Sequence, residues 1–154
     1  MNTNKWIWLD MDGTFVNFYG VENWLDYLIK KDPTPYRIAE PIYNMAELIE
    51  VLLELKENGY NVGVISWLSK TPNVGFDKKV IKAKMDWLER NLIADILDEI
   101  IITSYGKVKS ATCEKYGYGV LCDDEEQNRN AWKNGATIDA NKNLIKELKK
   151  LLTY

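Results

Sequence analysis

The stretch Trp6-Ile7-Trp8-Leu9-Asp10-Met11-Asp12-Gly13-Thr14 constrains the fold more than any other, because an apolar run stops at two carboxylates one residue apart, followed by a glycine and a hydroxyl. Ile7 and Leu9 alternate with Trp6 and Trp8, so both faces of a strand here are apolar. A central parallel strand covered by helices on both sides requires that pattern. Strand side chains repeat every two residues, so Asp10 and Asp12 are expected to point the same way from its carboxyl end. Two acids on one face repel each other unless a cation lies between them or they share a proton. The pair points to a magnesium site, a general acid/base, or both.

Helix and strand signals alternate through the rest of the chain. The aromatic stretch 15–43 holds Phe18, Tyr19, Trp24, Tyr27 and Tyr36 and is punctuated by Asp32-Pro33-Thr34-Pro35. Trp24, Leu25, Leu28 and Ile29 fall at helical spacing, so a short helix over 21–31, a turn and a return segment near Pro41 predict a small lid over the strand end. Asn44 is a predicted N-cap for an amphipathic helix that stops at Asn58-Gly59. Residues 60–66 read as a second strand running into Ser66-Trp67-Leu68-Ser69. Asp77 is expected to cap a long helix to about Asn91, with Lys78, Lys79, Lys82 and Lys84 read as a solvated face and substrate contact as the alternative. Ile100-Ile101-Ile102-Thr103 reads as a third buried strand, followed by Gly106-Lys107-Val108-Lys109-Ser110 and a helix over 110–116. A fourth strand, Gly119-Val120-Leu121-Cys122, runs into Asp123-Asp124. A helix over 125–133, a short strand over 136–138 and a helix over 141–152 complete the pattern. Such alternation calls for an α/β fold with a parallel sheet, right-handed crossovers and helices on both faces. At 154 residues one domain spanning 1–154 is expected, with at most a small insertion at 15–43.

Several function classes drop out on residue types alone. There is no histidine, which removes Ser-His-Asp hydrolases, cysteine-histidine enzymes, histidine phosphatases and histidine-ligated metal hydrolases. A cysteine phosphatase loop needs five residues between thiolate and arginine, whereas six lie between Cys122 and Arg129. Cys113 and Cys122 alone make neither a disulfide framework nor a zinc cluster, so free thiols in a reducing compartment are expected. A formal net charge of -3 gives no support to nonspecific nucleic-acid binding. No apolar run reaches the ~18 residues needed to span a bilayer, and Met1-Asn2-Thr3-Asn4 lacks a signal-peptide pattern, so a cytoplasmic location without membrane association is expected.

In open parallel sheets ligands bind outside the carboxyl ends of the strands. The first, second and fourth strands here end in Asp10/Asp12, Ser66 and Asp123/Asp124, and lysines follow the third. Each has a bland explanation alone; together they place carboxylates, a hydroxyl and an ammonium on one sheet edge.

In order and context, Asp10-Met11-Asp12-Gly13-Thr14, Val64-Ile65-Ser66, a lysine after the third strand and Leu121-Cys122-Asp123-Asp124 resemble the four motifs of the haloacid dehalogenase superfamily. The resemblance covers nearly the whole chain outside 15–43, where members commonly insert a cap. It implies a Rossmann-like three-layer fold with about five strands in order 3-2-1-4-5. Asp10 would be the nucleophile that forms an aspartyl-phosphate, and Asp12 would protonate the leaving oxygen and then activate water. Mg²⁺ would be held by the Asp10 carboxylate, the Asp12 main-chain carbonyl and one acid of Asp123/Asp124, with Asp124 preferred. Ser66, backbone amides around Gly13, and Thr14 and Trp67 would contact the phosphorylated substrate, and a lysine would neutralise phosphoryl charge. Lys107, in a glycine-lysine turn, is preferred for that role over Lys109.

A looser resemblance, carried by Ser66, Thr71-Pro72, Lys82-Ala83-Lys84-Met85-Asp86-Trp87-Leu88 and Ile101-Ile102-Thr103, is to the deoxyribonucleotidase branch. It implies a nucleoside monophosphate whose base stacks on Phe18, Tyr19 or Trp24. The expected activity is magnesium-dependent hydrolysis of a small phosphomonoester. The competing readings are a phosphatase acting on polynucleotide ends and a noncatalytic module that keeps the fold; the oligomeric state is left open.

Overall fold

The computed structural model describes residues 5–152; the Met1–Asn4 stretch read above for a leader lies outside them. Five parallel strands, β1 (Lys5–Leu9), β2 (Tyr60–Trp67), β3 (Glu99–Thr103), β4 (Gly119–Asp123) and β5 (Thr137–Asp139), form one sheet in the order β3-β2-β1-β4-β5. This is the order the resemblance implies. β1 lies at the centre because it is apolar on both faces, and it is buried from Trp6 onward. β3 is an edge strand and only half-buried along its length, unlike the buried strand expected from its isoleucine run. An edge position covers one side less, and the run alone does not report that.

Before β2 come α1 (Trp24–Ile29), α2 (Thr34–Ile38) and α3 (Met45–Glu57); α4 (Val74–Arg90) joins β2 to β3. α5 (Lys109–Cys113), α6 (Glu126–Ala131) and α7 (Leu144–Lys149) follow β3, β4 and β5. Residues of α3, α4 and α7 pack on the face carrying Ile7, Leu9, Val62, Val64, Val120 and Cys122. The opposite face carries Trp6, Trp8, Ile65 and Leu121, against Cys113 of α5 and Trp132 just past α6. Strand parity therefore sends alternate residues to two different helical layers.

Two helix starts illustrate local control. Asn44 caps α3 by accepting from Glu47 N at 3.2 Å. α4 begins a turn earlier than expected: Asn73, not Asp77, is its cap, accepting from Phe76 N at 2.9 Å. Asp77 instead reaches back to accept from Asn73 N at 3.4 Å. Gly75 in the first turn is a poor helix former and masks this start in the sequence.

The segment after β1 bends through 3₁₀ turn Phe18–Gly20, α1 and α2, the stretch expected to form a cap. Phe18 and Tyr36 are buried in it with ring centroids 4.6 Å apart, and Tyr19 and Trp24 pack on Phe18 at 5.2 and 5.6 Å. Trp87 of α4 donates to Ala39 O at 2.8 Å and ties the far end of the cap to the core.

The Trp8 indole stacks on Trp6 at 4.8 Å and reaches over both neighbouring strands. It is admitted by glycines. A Cβ at Gly63 would sit 2.8 Å from Trp8 Cε3, and one at Gly119 the same distance from Cδ1. Gly63→Ala is expected to cost about 1–3 kcal/mol by overpacking, read as a lowered urea midpoint. Trp8→Phe should recover part of that loss, since it removes the ring that clashes.

Candidate active site

β1 ends at Leu9, one residue before the first acid, so the period-two expectation does not carry through to Asp12. The two carboxylates diverge instead, Asp10 towards Lys109 and Asp123, and Asp12 towards Lys84 and Ser66, while both line the same cleft. A tight turn follows, in which Gly13 N donates to Val16 O at 2.9 Å. Gly13 has φ of +84°, and a methyl there would lie 2.7 Å from the Asp124 carboxylate carbon. Both the backbone conformation and the closeness of β4's end demand glycine.

Asp10 is gripped on both oxygens. Lys109 Nζ lies 3.0 Å from Oδ1, and Thr14 Oγ1 donates to Oδ2 at 3.3 Å. Thr14 is fully buried and so supports Asp10 from behind rather than facing a substrate. Lys109 also donates to Asp123 Oδ2 at 2.7 Å, and its ammonium stands 5.1 Å from the centre of the Trp67 ring. The lysine that reaches the acids is thus Lys109 and not Lys107, the one preferred from the sequence. Lys107 is exposed, and its main-chain carbonyl accepts from Trp67 Nε1 at 2.9 Å. Lys109 opens α5, and its side chain turns in under the sheet edge, where it is 4% exposed.

Asp10, Asp123 and Asp124 each offer a carboxylate oxygen, and these lie within 4.8 Å of one another. Asp123 is already satisfied by Lys109, by Glu125 N at 2.9 Å and by Asn128 Nδ2 at 3.1 Å. Asp124 Oδ1 is buried without a partner. Burial, followed by the neighbouring Asp10 and Asp123 charges, pushes the Asp124 carboxyl up to about 8. Burial and then Asp10 also raise Asp123. Lys109 is raised as well: burial alone would lower it, but Asp10 and Asp123 outweigh burial and hold the ammonium charged. With all three ionised, the carboxylates against one ammonium would leave two negative charges, which a divalent cation with oxygen ligands would balance.

On the other side of the cleft lies a residue that sequence reasoning misplaced. Lys84 is not on the solvated face with Lys78, Lys79 and Lys82; it is 1% exposed. It donates to Ser66 Oγ at 2.6 Å, Trp67 O at 2.8 Å and Asp12 Oδ2 at 3.1 Å. A signal was present: Val80, Lys84 and Leu88 are four apart on one stripe of α4, and the outer two are core residues.

The cleft between these two groups holds about 280 Å³ and is lined by Phe18, Tyr19, Trp24, Tyr36, Trp67 and Tyr105 above Asp10, Asp12 and Ser66. Tyr105 packs on Trp67 at 5.0 Å. Burial, and then Asp12, raise the Tyr19 and Tyr36 phenols above their ordinary range, so both remain protonated donors beside the acids.

No protein-family model and no curated protein matches the chain in sequence. Its fold is similar to that of D,D-heptose 1,7-bisphosphate phosphatase from Burkholderia thailandensis, with a TM-score of 0.58 and 12% identity over 98% of this chain and 100% of that one. It is likewise similar to D,D-heptose 1,7-bisphosphate phosphatase from B. bronchiseptica complexed with magnesium and phosphate, with a TM-score of 0.59 and 12% identity over 96% and 99%. Among the described residues no helix is long and apolar enough to cross a membrane.

Proposed function

We propose that the chain is a magnesium-dependent phosphomonoester hydrolase of the haloacid dehalogenase type, acting on a small phosphorylated metabolite. The observation that carries this reading is the convergence of Asp10, Asp12, Ser66, Lys109 and Asp124 at one end of the sheet. The likeness in fold to two phosphatases supports it, as does the magnesium and phosphate bound by one of them. Asp10 attacks phosphorus as the alcohol departs, giving an aspartyl-phosphate. Asp12 gives its proton to the departing oxygen, then takes one from the water that attacks the acyl-phosphate and regenerates Asp10. Ser66 and Lys109 donate to the transferring phosphoryl oxygens; Lys109 has one N–H beyond its two acid partners. The orphaned Asp124 oxygen makes Asp124, with Asp10 and the Asp12 carbonyl, the fitting set for Mg²⁺. Asp123 stands behind them, bound to Lys109. When bound, Mg²⁺ would neutralise charge on the phosphoryl group.

The aromatic lining favours a leaving group with a flat face, and a (deoxy)nucleoside monophosphate has one. Phosphate release should be measured with magnesium across nucleoside monophosphates, sugar monophosphates and sugar bisphosphates. Release from none of them overturns the hydrolase reading; equal or better rates on the sugars overturn the nucleotide preference alone.

Asp124 carries a consequence for stability. Its carboxyl ordinarily titrates near 3.8, and in the metal-free fold near 8. The fold therefore binds that proton more tightly than the unfolded chain does. The stabilisation is full below about 4 and is lost as pH rises through about 8. In a chelator the thermal midpoint should fall by several degrees between pH 5 and pH 8, and Mg²⁺ should restore more at pH 8 than at pH 5. A chelated midpoint that stays level across that range would contradict this.

A further inference from the structure

Lys84 lies outside the four strand-end groups, yet it joins two of them. An ammonium has three hydrogens, and Ser66 Oγ, Trp67 O and Asp12 Oδ2 use all three. None is left for a phosphoryl oxygen, in contrast to Lys109. Lys84 can only donate, so Ser66 Oγ accepts from it and the serine hydrogen remains free to point into the cleft; among the described residues Ser66 Oγ donates to nothing. On Asp12 the same ammonium occupies Oδ2 and leaves Oδ1 without a protein hydrogen bond among the described residues. Lys84 is itself immobilised, with Val80, Ala83, Trp87 and Leu88 buried around it on α4 and the Tyr36 ring of the cap 5.2 Å from its nitrogen.

We propose that Lys84 is a positioning residue: through one fully occupied ammonium it aligns the Asp12 carboxyl with the leaving oxygen and turns Ser66 into an obligate donor to the phosphoryl group. This rests on the hydrolase reading above. Lys84 acts on proton delivery, so its importance depends on how badly the leaving group needs a proton.

The test compares kcat/KM of the wild type, Lys84→Met and Lys109→Met on para-nitrophenyl phosphate and on a primary alkyl phosphate, with magnesium. kcat/KM covers the steps through departure of the alcohol. A nitrophenolate leaves without a proton, whereas an alkoxide needs one. Lys84→Met should lose about 100-fold on the alkyl ester and less than about tenfold on the aryl ester. Lys109→Met should lose similarly on both. Inhibition by inorganic phosphate should weaken by less than about threefold in Lys84→Met, because no Lys84 hydrogen is available to phosphate. The ratio of the two rates from one sample does not depend on how much of that sample is folded. Equal losses on both esters in Lys84→Met overturn the inference, as does a collapse of phosphate inhibition matching that of Lys109→Met. A wild type inactive on both esters overturns the hydrolase reading and this inference with it.

Discussion

Asp10→Asn is expected to reduce magnesium-dependent phosphate release by about 10⁴-fold or more, and to do so without unfolding the protein. An amide nitrogen and oxygen fill the same space and still meet Thr14 and Lys109, but the amide cannot attack phosphorus to give an acyl-phosphate. Stability should move the other way. Asp10 is one of three mutually repelling carboxylates, and its charge helps raise both Asp123 and Asp124. Neutralising it lowers that repulsion, so the chelated variant should melt at or above the wild-type midpoint at pH 8. Phosphate release and a thermal scan on the same preparation suffice. A variant retaining wild-type turnover removes Asp10 as the nucleophile.

The second large effect separates two lysines two residues apart. Lys109→Ala should lower kcat by about 10³-fold and destabilise the chelated fold by roughly 3–5 kcal/mol, since it leaves Asp10 and Asp123 as uncompensated buried charges. Mg²⁺ should recover a larger part of that stability than it adds to the wild type. Lys107→Ala should stay within about twofold in rate and 0.5 kcal/mol in stability, as expected of an exposed side chain on a residue that bonds Ser104 and Trp67 through its main chain. Steady-state rates and urea midpoints check both. A severe loss in Lys107→Ala with little effect at Lys109 would reverse the assignment.

Much of the fold is written in local pattern. β1 declares itself by apolarity on two faces, and the strand order agrees with what the resemblance implies. Asn44 declares a helix start because a capping oxygen and its target amide lie three residues apart. The edge character of β3 is less legible, because burial depends on what lies beside a strand and not on the strand itself. The acids and Ser66 were legible for the same reason as β1: each follows an apolar run and so emerges at its carboxyl end. The choice between Lys107 and Lys109 was not, because it depends on how the loop from Ser104 to Val108 delivers α5 to the sheet. Lys84 fell between these cases. Helical phase places it on the buried stripe with Val80 and Leu88, but a charge in a run of lysines is ordinarily solvated. Only the arrival of Asp12, Ser66 and the Trp67 carbonyl from other elements makes burying that ammonium tolerable.

The division of the site between two helical layers also fixes an order of assembly along the chain. Lys84, which bonds Asp12, and Ser66 and Trp67, which bond Lys84, all precede residue 91, whereas Lys109, Asp123 and Asp124, which surround Asp10, come after residue 108. While the chain emerges from a ribosome, the half of the site around Asp12 can close as soon as α4 docks on β1 and β2. The half around Asp10 cannot, because β4 must first insert beside the opposite edge of β1. In the growing polypeptide Asp10 therefore lacks Lys109, Asp123 and Asp124 until the final third of the sequence arrives.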